Sequence, residues 1–564
     1  MKKNWLKNYP THVPAEINPD SYQSIIEVLD LSVQKFPDHP AFYNLGTTLT
    51  YKQVAEYSYQ FAAYLQQVLK ATKGDRIAIM LPNILQYPLA MMGAMRAGLI
   101  IVNVNPLYTA DELALQLTDS GATTIIVMEN FARTVQSVLK QVPMLKNIII
   151  TKIGDLFSAP KAWATHFILK YVKKNIPRYQ LPHATSFKKI LYEGKKCIFS
   201  PVTLTNNDIA FLQYTGGTTG VAKAAVLTHR NIIANLQQVS SCYQNILTEG
   251  EEIIISALPF YHIYSLVVNY LFFNKMGALN ILITNPRDVD GMVTVMKKFK
   301  FSAITGVNTL FNALLKNTNF AKLDFSKLRI SNAGGMAVQQ ATAQNWLSIT
   351  GVPLQEGYGL TEASPCVTFN PTARFGTVGF PLPSTDVRIF DDNDNELPYG
   401  QVGELVVKGP QIMHSYWQSP IETKQVFTAD NWLRTGDIAT LDEQGFISIL
   451  ECKKDMILVS GFNVYPNEVE NIITKHSGVR EAAVIGVVDE KSGEAVKAFV
   501  VRETSKVLAE DLIEHCRKYL TAYKVPKHIE FCSELPKTNV GKILRRALRT
   551  VSIDENHGTT SEKN

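Results

Sequence analysis

The run YTGGTTGVAK at 214–223 carries the residue types that hold a polyphosphate. Gly216, Gly217 and Gly220 let the backbone approach phosphate oxygens without a Cβ clash and turn amide N–H groups inward. Thr215, Thr218 and Thr219 add hydroxyl donors, one of which can also ligate a metal, and Lys223 adds a point charge. Their joint chemistry is the neutralisation of a triphosphate. The spacing is not that of the G-x-x-x-x-G-K-[ST] loop, because the lysine stands three residues after Gly220. A glycine- and threonine-rich turn also closes plain hairpins, so this run by itself supports phosphate binding and no more.

Such a loop has to be offered by flanking strands. Phe211 and Leu212 before it read as strand, and an apolar run resumes at 224–227. Upstream, 51–70 has apolar positions at helical spacing, 76–81 reads as a short buried strand, and 84–97 is again helical. Strand-like 99–104, helical 110–119 and strand-like 123–128 follow. This alternation predicts parallel sheets covered by helices. A second compositional unit begins near residue 453, where strand-like 482–488 and 495–500 flank a turn and helical 508–520 follows. It predicts a small α+β domain of about 110 residues. The polar tail from 552 is expected to be disordered.

Bulk properties fit that outline. A chain of 564 residues exceeds what one hydrophobic core usually serves. With 46% hydrophobic and 19% charged residues it is expected to fold rather than remain disordered. A net charge of +6 is small for the length and argues against a dedicated nucleic-acid binder. The six cysteines form no C-x-x-C pair and no zinc spacing, and read as reduced thiols in a cytosol. The opening MKKNWLKNYPTHVP has no apolar run behind its basic residues, so no secretory signal is expected. No stretch of about 18 apolar residues occurs, so the expectation is a cytoplasmic protein, soluble or peripheral on the cytoplasmic face of a membrane.

Further runs follow the loop in order: YGLTE at 358–362, WLRTGD at 432–437, VSGFNVYP at 459–466 and PKTNVGK at 536–542. Together the five resemble the acyl-adenylate-forming superfamily of acyl-CoA synthetases, luciferases and peptide-synthetase adenylation domains. The resemblance is strongest to bacterial long-chain fatty-acid–CoA ligases, over essentially the whole chain. It implies a large N-terminal α/β domain, 1–452, with parallel or mixed sheets, helices and a β subdomain. A smaller, mobile α+β domain, 453–564, would follow.

The implied reaction is ATP-dependent activation of a long-chain fatty acid to acyl-AMP, then transfer to coenzyme A, giving acyl-CoA, AMP and pyrophosphate. ATP and coenzyme A are co-substrates and Mg²⁺ the implied metal. On matching positions, Thr215, Gly216, Gly217, Thr218, Thr219, Gly220 and Lys223 would grip the phosphates, and Tyr358, followed by Gly359, would stack on adenine. Thr361 would lie near the α-phosphate, and Gly334 and Gly335 would line the adenylate. Thr215 and Glu362 would hold Mg²⁺, a pairing of hard oxygens that suits this ion. Asp437 would accept hydrogen bonds from both ribose hydroxyls.

Lys542 would catalyse adenylation. A carboxylate attacking an α-phosphate sets anion against anion, and a bridging ammonium offsets the repulsion. His262 matches a position beside the acyl carboxylate, where it could orient the acid or be a buried structural histidine. Lys454 is the implied pivot of a domain rotation between the two steps, and Gly461 would lie near the pantetheine. Residues 306–314 either wall an acyl tunnel or form a core helix.

The chain departs from the pattern at Cys452, where the resemblance implies an arginine that helps hold the nucleotide, and in smaller ways at Ala224 and Ala337. The segment 159–196 also stands apart, with nine Lys/Arg against Glu193 alone, interleaved with Trp163, Phe167, Ile168, Tyr171 and Val172. It reads either as a surface that docks on anionic lipid or as a solvated basic loop with an anchored helix. Two other functions remain open from sequence alone. One is an acyl-adenylate ligase with a carrier-protein acceptor; the other is a weakly catalytic membrane protein that binds acyl groups or nucleotide.

Overall fold

The structure is a computed structural model that describes residues 3–215, 223–460, 462–489, 491–504, 507–538 and 541–549. Gly216, Gly217, Thr218, Thr219, Gly220, Gly461 and the polar tail lie outside the described residues. Two large sheets dominate what is described. The first runs Ser415–Tyr416, Ala224–Thr228, Ile209–Tyr214, Ile100–Asn103, Arg76–Met80, Thr124–Met128, Asn147–Thr151 and Thr185–Ser186. It is parallel from Ile209–Tyr214 onward and antiparallel at its other edge. The second runs Leu354–Glu356, Ile330–Ala333, Ala303–Gly306, Ile253–Ser256, Leu279–Leu282, Pro40–Asn44 and Thr47–Thr50. It is parallel except at its last pair.

The expected strand–helix alternation is present, and local chemistry fixes where its elements begin and end. Helix Tyr51–Gln67 starts at a capping box between Thr50 and Gln53. Helix Ala110–Ser120 starts at one between Thr109 and Glu112 and ends at Gly121 in the left-handed conformation. Helix Gln86–Arg96 is buried along its whole length, because the main core joins both large sheets around it. Fully burying Leu89, Met91, Met92 and Met95 contributes roughly 1.5–3 kcal/mol each. Gly93 brings this helix against Tyr51–Gln67: a Cβ there would meet Ser58 O at 2.7 Å, so Gly93→Ala would force the two apart.

Two smaller sheets complete the scaffold of the site. Asp386–Phe390, Val402–Lys408, Leu433–Leu441 and Ile447–Cys452 form an antiparallel sheet. Beyond Cys452 a short turn, Lys453–Asp455, leads into a separate sheet. There Ile457–Val459, Phe462–Val464, Val479–Asp489 and Gly493–Arg502 pair antiparallel, and His528–Phe531 joins Gly493–Arg502 in parallel. Helices Pro466–Ile473 and Ala509–Arg517 cover it, with a core of its own around Val484, Val496 and Leu512. Among the described residues, no helix is long and apolar enough to cross a membrane.

Candidate active site

The strands on either side of the phosphate-loop run are an antiparallel pair. Ile209–Tyr214 pairs with Ala224–Thr228, Tyr214 opposite Ala224, and Thr215 N–H donates to Lys223 O at 2.9 Å. The ends of the loop are therefore pinned, although the residues between them are outside the description. Both ends open onto a cavity of about 750 Å³. Thr215, Lys223, His262, Gly334, Gly335, Tyr358, Gly359, Thr361, Glu362, Asp437, Lys454 and Lys542 all line it. Residues separated by more than 300 positions in sequence thus converge on one space. They come from the edge hairpin, the C-terminal ends of parallel strands in the second sheet, the antiparallel sheet and the last segment of the chain.

Inside the cavity the acids are buried and partnered. The Tyr358 hydroxyl donates to Asp437 Oδ2 at 2.6 Å. Burial pushes the Asp437 carboxyl above its usual range, against the pull of that hydrogen bond and of Lys542 and Lys454. Glu362 is arranged alike: burial raises it, and the Tyr416 hydroxyl donates to its Oε1 at 2.6 Å. Lys223 Nζ lies 5.5 Å from the Tyr416 ring centroid, so a cation, a phenol and a carboxylate adjoin the loop. His262 is pushed down to about 4 by burial and by Lys542, and is neutral near pH 7. The Tyr264 amide donates to His262 Nδ1 at 3.4 Å, and a neutral ring that accepts there carries its proton on Nε2.

Lys542 reaches the cavity on a tight turn. Its amide donates to Thr538 Oγ1 at 3.0 Å, and Gly541, at φ +86°, sits so close to helix Asn308–Leu315 that a Cβ would meet Thr309 Oγ1 at 2.6 Å. Opposite Asp437 across the antiparallel register stands Cys452, its thiol 3.5 Å from Gly436 O and pushed up to about 11, first by burial and then by Asp437. Of the two neighbouring lysines, Lys453 bonds to Asp392 at 2.8 Å and Glu404 at 3.4 Å. Lys454 acts electrostatically on Asp437.

The sequence reading missed Tyr416, Arg434 and Glu404, which also line the cavity. Tyr416 arrives through the pairing of Ser415–Tyr416 with Ala225 and Val226, a contact across about 190 positions that no local pattern announces. Arg434, inside WLRTGD, was within reach of the motif that singled out Asp437. The same cavity is also lined by the apolar side chains of Val239, Leu258, Val268, Phe272, Phe273 and Ile330. Val268 and Phe272 belong to the π-helical stretch Ser265–Phe272, just after His262. Of 306–314, Val307 lines the cavity, whereas Leu310, Phe311 and Leu314 pack in the core around Trp346.

Comparison with known proteins agrees with this construction. The family model described as AMP-binding enzyme matches residues 29–417, and that of the AMP-binding enzyme C-terminal domain matches 468–542. The chain is 52% identical over 566 residues to the long-chain-fatty-acid–CoA ligase of Escherichia coli O6:H1, covering 100% of each. It is 54% identical over 556 residues to that of Yersinia pestis, covering 98% of this chain and 99% of the relative. The crystal structure of ATP-bound MatB from Rhodopseudomonas palustris has a similar fold, with TM-score 0.81 and 26% identity over 94% of this chain and 99% of that one. With matches on both sides of a cavity that both regions build, this chain belongs to the family of AMP-binding enzymes.

Proposed function

We propose that the chain is an AMP-forming long-chain fatty-acid–CoA ligase. The observation that carries this reading is the meeting of Lys542 with Asp437, Glu362 and Lys223 in a cavity that is also lined by large apolar side chains. In the first step an acid carboxylate oxygen bonds to the α-phosphorus of ATP while the bond to the β-phosphate oxygen breaks, releasing pyrophosphate. Lys542 lies between the two anions and lowers their repulsion. Neutral His262 offers its Nε2 proton to the carboxylate and orients it. Asp437 receives the ribose hydroxyls, for which Tyr358 gives up its hydrogen bond and turns its ring to the adenine. Thr215, the pinned loop and Lys223 take the phosphates, with Gly334, Gly335, Gly359 and Thr361 around the adenylate.

In the second step the coenzyme A sulfur bonds to the acyl carbon, the bond from that carbon to the AMP phosphate oxygen breaks, AMP leaves with the oxygen and the electron pair, and the thiol proton passes to solvent. The proposed division at 452/453, with Lys454 as pivot, removes Lys542 between steps and brings the Gly461 strand to the thiol. Glu362 and Thr215 offer a carboxylate and a hydroxyl, a donor set that fits Mg²⁺. An ion there would take its remaining ligands from substrate phosphates and water. Bound there, the ion would supply charge neutralisation to the polyphosphate. Long-chain acids partition into bilayers, and the basic segment 159–196 is proposed to hold the enzyme peripherally on the cytoplasmic face of an anionic membrane.

The test is to incubate the protein with Mg-ATP, oleate and coenzyme A and follow AMP and thioester. Equal amounts of AMP and oleoyl-CoA are expected. Oleoyl-adenylate that stalls with coenzyme A present would instead favour a carrier-protein acceptor. Lys542→Ala should lose AMP formation yet still convert supplied oleoyl-adenylate to thioester; equal loss of both steps would sink the role given to the lysine.

A further inference from the structure

Helix Ala159–Phe167 and its π-helical continuation Ile168–Val172 present a surface that the ligase chemistry does not use. One face is docked. Ala162 packs on Gly154, where an added Cβ would lie 3.1 Å from Ala162 Cα, and Lys161 donates to Thr47 Oγ1 at 3.1 Å. His166 Nδ1 is 3.2 Å from Oε1 of buried Glu129, and Leu169 packs on the main core. The other face carries Trp163, Phe167 and Tyr171 at four-residue spacing, 71%, 45% and 59% exposed, with successive ring centroids 5.6 and 5.2 Å apart. Ile168 and Val172 extend this stripe. A contiguous row of large apolar side chains held in water on an anchored helix marks a contact surface.

The chemistry beside the stripe says what it contacts. A cavity of about 980 Å³ opens there, lined by Arg133, Lys152, His166, Lys170 and Arg178, with Glu129 the one carboxylate among its described residues. Its wall is fixed: Asn130 Nδ2 donates to Asn175 O at 3.0 Å, and Gln180 N–H to Gln136 Oε1 at 2.7 Å. The same helix supplies both features, since Lys170 lines the cavity while its Nζ lies 5.4 Å from the Tyr171 ring centroid. We propose that the cavity binds the phosphate of an anionic lipid headgroup while Trp163, Phe167 and Tyr171 enter the acyl layer beside it. Arginine forks suit phosphate oxygens, and aromatic side chains suit the interface below them. A free phosphate would leave the apolar stripe without a purpose. The inference rests on the peripheral-membrane reading above and gives it a site and a lipid class.

The test is flotation of the full chain with vesicles of phosphatidylcholine alone or mixed with phosphatidylglycerol, with and without inorganic phosphate. Wild type should float with the anionic vesicles. Arg133→Gln/Arg178→Gln should weaken that binding at least tenfold, and Phe167→Ser/Tyr171→Ser should abolish it. Both variants should keep oleate-dependent AMP formation in detergent, which shows that they fold. If the arginine variant floats like wild type while the stripe variant does not, the headgroup site is wrong and the membrane reading stands. If wild type ignores anionic vesicles, both fall. Binding that responds to inorganic phosphate but not to phosphatidylglycerol overturns the lipid assignment.

Discussion

At the residue scale, the departure at Cys452 bears most directly on rate. Its thiol faces Asp437 across the strand pair and, pushed up to about 11, carries no charge near neutral pH. Lys453 cannot stand in for an arginine, because Asp392 and Glu404 already hold it. Arg434 is held likewise, by Asp394 and by Glu404 at 3.3 Å, which leaves Lys454 to face the cavity there. An arginine at 452 would add a charged hydrogen bond to the nucleotide, about 1.5–3 kcal/mol. Cys452→Arg should therefore lower the KM for ATP by roughly tenfold to a hundredfold. Steady-state kinetics at saturating oleate would check it, and an unchanged KM would mean that Lys454 already does the arginine's work.

At the scale of elements, the segment that joins the two regions is held by a buried charge cluster. Arg545 reaches Glu451 at 3.2 Å, Glu470 at 2.8 Å, Asp455 at 3.6 Å and Asn467 Oδ1 at 2.8 Å, and Arg549 meets Asp455 at 3.0 Å. Glu451 also accepts from the amides of Cys452 and Asn467. Arg545→Ala would leave Glu451 and Glu470 without their cation, Asp455 keeping Arg549, and should cost about 3–5 kcal/mol in denaturant unfolding. The cost should depend on pH. Burial pushes Glu451 up to about 7 despite Arg545, whereas an unfolded glutamate titrates near about 4.3. The native state then binds a proton that the unfolded chain has lost, so stability falls as pH rises through about 4.3 to 7. Removing the cation raises the native value further, so the part of the deficit that Glu451 contributes should be small near pH 5 and grow toward pH 8. A deficit independent of pH would place the effect in packing instead.

Elements with local signals were legible in the sequence. Caps at Thr50 and Thr109 and the left-handed Gly121 announce their helices within a few residues. Continuous apolar runs likewise mark the parallel strands, because these are buried on both faces. Glu362, Asp437 and Lys542 could be found because each sits in a motif. Tyr416 could not, since it reaches Glu362 only through an edge pairing made in three dimensions. The segment 306–314 was ambiguous for a different reason: helical periodicity is the same whether it faces a ligand or the core, and of these residues only Val307 lines the cavity.

At the scale of the whole molecule, one arrangement of the two regions is on view, with the Lys542 turn pressed against helix Asn308–Leu315. A two-step reaction in which that turn must leave predicts that fixing it here separates the steps. The geometry for a lock exists: an ideal Cβ at Gly541 lies 3.8 Å from Thr309 Cβ, the mean spacing across a disulfide. A cysteine at 541 would bear φ +86°, at about 1–2 kcal/mol, which one covalent bond can hold. The native cysteines are free thiols, with Cys242 and Cys516 buried. Oxidised Thr309→Cys/Gly541→Cys should therefore release pyrophosphate once per enzyme from ATP and oleate, keep the oleoyl-adenylate, and form no oleoyl-CoA until a reductant is added. Each single variant, treated identically, should turn over with or without reductant, which separates the lock from backbone strain. Sustained oleoyl-CoA synthesis by a protein whose crosslink is verified by mass would show that both steps run in this one arrangement, and the proposed rotation about Lys454 would have to be given up.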